Sequence, residues 1–203
     1  MDQPSYRKSI FLRLASSFIE FANRHLTLAK WLFGSNKIIF FELELMMAAI
    51  VLFCVGLLFT VHLLPVWVAI TVAILLVQRV FEFVIVYSRN FILHRGRIFS
   101  DFPDLQEQGE WLIMMFFLNV IQLVLVFAVW YRVLSLVSPS AFSRALGTLD
   151  SLYFSMITFL TIGYGDIAPL SHMAKGLVML QGGITFYVVV IVINGLISIH
   201  FKK

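Results

Sequence analysis

The sequence predicts an all-α membrane protein, with four membrane-spanning helices and one short re-entrant helix before the last of them. Three observations carry this reading. Of the 203 residues, 61% are hydrophobic and 13% charged, with a mean hydropathy of +0.95, where a soluble domain is roughly 45–50% apolar and about 25% charged. Uncharged apolar runs long enough for the ~20 residues a spanning helix needs recur along the chain. One further apolar run is too short to cross.

The elements follow in order. Residues 1–33 are basic and amphipathic: Ile10, Leu14, Phe18 and Phe21 share one helical side, and Arg13, Ser17, Glu20 and Arg24 the other. Such a helix lies in the membrane interface, or docks on a partner in the cytosol. Arg13, Glu20 and Arg24 interrupt the run, so no cleavable signal peptide is expected. Gly34-Ser35-Asn36 breaks the chain. The first span begins between Lys37 and Leu45 and ends at Leu64, and Pro65 starts a tight turn. The second runs from Val66 to about Ser88 and contains Arg79 and Glu82, neighbours on one face. They are expected to be a paired, snorkelling couple near the cytosolic end, the alternative being a sensor or gating contact. A polar connector covers 89–110. The third span is Trp111–Tyr131, with Asn119 and Gln122 as its polar members, and the last is Gly176–Phe201. Between them, Leu149–Leu160 would rise only about 18 Å as a helix, too little to cross.

Charge orients the chain. Arg7, Lys8, Arg13, Arg24, Lys30, Lys37, Arg89, Arg95, Arg97, Lys202 and Lys203 fall on the side of the termini and connector, against Arg132, Arg144 and Lys175 opposite. This split places both termini in the cytosol of a multi-pass protein of the cell membrane. The pI of 9.4 therefore reflects flanking charge rather than nucleic-acid binding. Cys54, the single cysteine, rules out an intramolecular disulfide and lies in an apolar run. No cluster of histidine, cysteine and acid has the spacing of a catalytic or metal centre, so no enzyme and no cofactor is expected.

Thr161-Ile162-Gly163-Tyr164-Gly165-Asp166 follows the short helix and precedes the last span. Irregular backbone at membrane depth is tolerated only when it is buried in protein or lines a water-filled path. A dehydrated potassium ion needs a cage of oxygens, and backbone carbonyls supply one if they all face inward. That demands unusual dihedrals on alternate residues, and Gly163 and Gly165 adopt positive φ without a Cβ penalty. Thr161 adds a hydroxyl. At the start of the short helix Thr148 can serve as N-cap and Asp150 favours the positive end, while the C-terminal end turns partial negative charge toward the path.

Residues 148–166, TLDSLYFSMITFLTIGYGD, resemble the pore helix and selectivity filter of tetrameric potassium channels, with a four-span subunit of bacterial type. The likeness continues through Gly182-Gly183-Ile184-Thr185, which is similar to the glycine-hinge region of their inner helix. It covers about 111–201; the first 110 residues resemble no family. It implies that the carbonyls of Thr161, Ile162, Gly163 and Tyr164, with the Thr161 hydroxyl, coordinate K+, and that Gly165 completes the filter. It also implies that Tyr164 braces the filter against Tyr153 and Phe154, and that Asp166 lines the outer mouth. Ile157 stands where some bacterial relatives carry a glutamate, so gating that uses that acid is not implied. One chain supplies one filter strand, so a homotetramer is expected. The division is then 1–36 amphipathic segment, 37–88 hairpin, 89–110 connector and 111–203 pore domain.

Gating is less determined. Arg79 alone lies within a span, so no strong voltage sensor is expected, and only Lys202 and Lys203 follow the last span, so no ligand-binding tail. Gly183 could hinge the last helix and open a cytosolic gate, or Gly182 and Gly183 could allow close packing against the short helix. Gly195, beside Asn194, is a second candidate bend. His62, His172 and His200 are read as interfacial residues. The opening segment and the connector could report membrane lipid composition or bind an unidentified regulatory partner. Beside a passive potassium channel stand a poorly selective cation channel and a non-conducting interaction subunit.

Overall fold

The computed structural model describes residues 40–93 and 105–200. The amphipathic opening and the middle of the connector lie outside the described residues.

Helix α1 (Phe40–Thr60) carries Glu42 and Glu44 in its first turns, is uncharged from Leu45 on, and ends in a 3-10 turn at Val61–Leu63. Pro65 cannot donate a backbone hydrogen bond, and its carbonyl accepts from Val68 at 2.9 Å and Ala69 at 3.1 Å, starting α2 (Val66–Leu93). Helix α3 (Leu105–Val137) is followed by a 3-10 turn at Pro139–Ala141, then by α4 (Thr148–Phe159) and α5 (His172–His200). The short helix stands within a residue of its expected bounds. The connector is shorter than expected, because α2 continues to Leu93 and α3 begins at Leu105. Among the described residues, the windows Val66–Ile85, Phe116–Val137 and His172–Val190 are long and apolar enough to cross a membrane, and Met47–Leu63 is a shorter apolar stretch.

Helix α3 is the axis of the subunit, touching α1, α2, α4 and α5. Leu123, Val126, Phe127, Ala128, Val129 and Tyr131 are buried in it, whereas Leu52, Phe53, Trp67, Ile74 and Leu75 face outward from α1 and α2. Between apolar helices in lipid there is little hydrophobic drive, so close packing and hydrogen bonds hold them together. Here side chains of α3, α4 and α5 reach backbone carbonyls of the hairpin. Trp130 Nε1 donates to Ala73 at 2.8 Å, Thr148 Oγ1 to Leu58 at 3.3 Å, and Tyr187 Oη to Val84 at 3.1 Å.

The Arg79–Glu82 pair is not at the surface. Arg79 is 9% exposed and Glu82 6%, so the pair lies inside the bundle and the expected snorkelling to the headgroups does not occur. The reason is a polar partner on each neighbouring helix. Arg79 donates to Gln122 Oε1 at 2.8 Å, and Gln122 Nε2 donates to the Met47 carbonyl at 2.8 Å. One cluster thus ties α1, α2 and α3 at a single level.

Removing one partner of a buried pair strands the other. Arg79→Met is expected to destabilise the fold by about 3–5 kcal/mol, and Arg79→Met with Glu82→Leu to recover most of that loss. Unfolding by SDS in mixed micelles measures both.

Candidate functional site

The site begins at the start of α4. The N-cap is Gly147 rather than Thr148, which is already helical; the Thr148 hydroxyl is drawn instead to the Leu58 carbonyl of α1. Asp150 does the capping as expected of an acid in the first turn, accepting the Gly147 N–H at 3.1 Å, and it is held by Arg144 at 2.8 Å.

At the other end α4 closes through the segment that leaves it. The Leu160 N–H donates to Met156, Thr161 to Thr158 at 3.1 Å, and Ile162 to Ile157 at 2.9 Å. The carbonyls of Met156, Ile157 and Thr158 are therefore satisfied by Leu160 and by the first two residues of the TIGYGD segment. Its backbone then alternates. Thr161 has φ 58°, Gly163 56° and Gly165 82°, while Ile162 and Tyr164 between them keep negative φ. A regular strand points successive carbonyls to opposite sides; alternating the hand from residue to residue turns successive peptide groups to one side.

The glycines were readable as the positive-φ positions, and Thr161 was not. A β-branched residue in the left-handed region is a strained outlier of the kind found at functional sites, costing about 1–3 kcal/mol. No Cβ built at Gly163 or Gly165 would meet an atom of the chain within 4 Å, so φ and not space requires glycine there.

Thr161 to Asp166 are all exposed in a single subunit, Tyr164 by 70%. Leu149 and Met156 on α4, Leu160 just after it, and Met179, Leu180 and Phe186 on α5 are exposed as well. Irregular backbone at membrane depth is tolerated only when it is buried in protein or lines a water-filled path, and this segment is exposed in the chain taken alone.

Behind the row the packing is polar and buried. Tyr131 Oη donates to Gln181 Oε1 at 2.6 Å; Gln181 Nε2 donates to the Ser155 carbonyl at 2.9 Å and lies 3.1 Å from its hydroxyl; Ser155 Oγ donates to the Val124 carbonyl at 2.7 Å. All three side chains are at most 1% exposed. This network joins α3, α4 and α5, and sequence reasoning missed it. A lone glutamine in an apolar span beside a glycine pair was the available signal.

The aromatic brace divides. Tyr153 lies near Asp166 and Tyr164. Phe154 turns the other way, its ring 4.9 Å from Tyr131 and 5.6 Å from Phe142, because adjacent helical residues point about 100° apart. Past Asp166 the chain is tied to the loop before α4: Ser143 N–H donates to Ala168 at 2.9 Å and Leu170 N–H to Ala141 at 2.8 Å. Ile157 is buried behind the segment. Gly182 and Gly183 lie within α5 with open space around them, and Gly195 lies further along it, in a stretch whose surroundings are outside the described residues.

Residues 111–202 match the model of a family described as an ion channel. No curated protein and no solved structure matches the chain. With the apolar helices, the match marks a membrane protein carrying an ion-channel domain, and points away from an enzyme.

If φ is what requires glycine, Gly165→Ala costs about 1–2 kcal/mol. Gly56→Ala, in a helix and equally open, gains up to about 1 kcal/mol. Thermal unfolding of the two purified variants checks the opposite signs.

Proposed function

We propose that the chain is one subunit of a homotetrameric, potassium-selective channel that conducts K+ passively. The observation that carries this is the left-handed alternation at Thr161, Gly163 and Gly165, in an exposed segment that leaves a helix too short to cross. Four such segments around one axis give rings of carbonyl oxygens from Thr161, Ile162, Gly163 and Tyr164, with the Thr161 hydroxyl at the inner end. Each ring replaces part of the hydration shell of a potassium ion. Gly165 allows the last turn of the path. A ring of Asp166 carboxylates raises the local cation concentration at the outer mouth.

The surroundings suit a cation. The C-terminal end of α4, with its carbonyls turned toward the segment, carries partial negative charge. The exposed apolar residues of α4 and α5 then pack against neighbouring subunits rather than lipid, and copies of the chain complete the site. In this reading α1, α2, α3 and α5 each span the cell membrane, with both termini cytosolic. Residues 37–88 form a hairpin beside the pore domain of 111–203, and 1–36 and 89–110 lie on the cytosolic face, open to lipid or a regulatory partner.

Flux from liposomes tests the reading. The purified protein is expected to pass K+ well, Na+ at least roughly a hundredfold less, and to be blocked by Ba2+. Gly163→Ala is expected to abolish flux from preparations that still assemble. Equal Na+ and K+ flux would leave a pore and remove the selectivity.

A further inference from the structure

Helix α5 runs without interruption through Gly182 and Gly183. An added Cβ at either position meets nothing of the chain within 4 Å, so close packing within the chain does not require these glycines, and two adjacent glycines weaken the helix there. Both sides of this point pack on the core, Ile184 and Val188 being buried beyond it, but the hydrogen bonds that hold them differ.

Before the glycines, Gln181 is locked. It is 1% exposed and bonded to Tyr131 of α3 and Ser155 of α4. That half of α5 is thus fixed to the back of the TIGYGD segment. One turn beyond Gly183, Tyr187 donates to the carbonyl of Val84 on α2. Val84 stands well inside α2, so its carbonyl already belongs to a helical ladder, and the tyrosine is a second donor to it. Such a bond can break without disturbing α2. Between the two anchors, the Thr185 hydroxyl is buried and has no partner within the subunit, so the straight helix gains nothing from it.

We propose that the hairpin acts as a latch on the conduction path: the Tyr187–Val84 bond holds α5 unbent, and its release lets the half of α5 beyond Gly183 swing while the half before it stays fixed. This rests on the channel reading above. It assigns the hairpin a regulatory contact in place of passive bracing, and it puts the moving boundary between Gln181 and Tyr187. A bend at Gly183 carries Tyr187 away from α2, so the bond is made only in the straight form.

Tyr187→Phe removes the hydroxyl and keeps the ring. Losing one such bond shifts the ratio of bent to straight helix by roughly three- to tenfold. Two readouts on the full chain in lipid keep the latch separate from the channel reading. Amide hydrogen exchange by mass spectrometry is expected to rise in Tyr187→Phe over 183–190 and to stay unchanged over 172–181. Potassium flux is expected to rise about three- to tenfold with the K+ over Na+ preference intact, and Gly183→Ala added to Tyr187→Phe to reverse both changes. Raised exchange confined to 183–190 in a protein that passes no K+ would keep the latch and overturn the channel reading. Unchanged exchange, or a rise along the whole of α5, would overturn the latch whatever the flux.

Discussion

A peptide group that leaves its helix inside a bilayer has to find a new partner before it meets lipid, and the architecture around α4 answers that requirement. The helix stops after twelve residues, at Phe159. The carbonyls of Met156, Ile157 and Thr158 are taken by the N–H groups of Leu160, Thr161 and Ile162. From Thr161 to Gly165 the backbone alternates in hand, which turns successive peptide groups to one side. A structure that did this in isolation would be unstable in hydrocarbon.

The scaffold behind that row is built for position rather than for burial alone. Apolar contact between helices is cheap to rearrange when the solvent is itself apolar. Directional bonds are not. Tyr131, Gln181 and Ser155 fix three helices at one level, and the bridge between Phe142 and Pro169 fixes the segment's exit to the loop that precedes α4. The strained Thr161 sits between these anchors, and strain of that kind persists only where the surroundings over-determine it.

Much of this was legible in the sequence, and what was not has a common cause. Hydropathy and length gave the helices and the short α4, because both depend on neighbours along the chain. The chemistry of glycine gave Gly163 and Gly165. The direction of Phe154 was missed because Tyr153 and Phe154 are adjacent, and the sequence does not say which faces inward. Thr148 lost the capping position because Leu58, ninety residues earlier, competes for its hydroxyl. Thr161 was passed over because nothing in a threonine announces positive φ. Gln181 needs Tyr131, fifty residues earlier, and Arg79 needs Gln122, forty-three later. Such pairings follow from topology, which periodicity does not encode.

The buried cluster at Arg79 also bears on how the chain enters a membrane. Helices insert in order, and α2 precedes α3. A lone arginine at the middle of a span would strongly oppose insertion. Arg79 brings its counter-charge with it, since Glu82 is less than one turn away on the same helix. The hairpin can therefore partition into lipid as a nearly neutral unit before Gln122 has been synthesised. When α3 arrives, Gln122 meets a guanidinium and the Met47 carbonyl already at its own depth. These two bonds form in one register only, so they favour a single depth for the third helix against the first two.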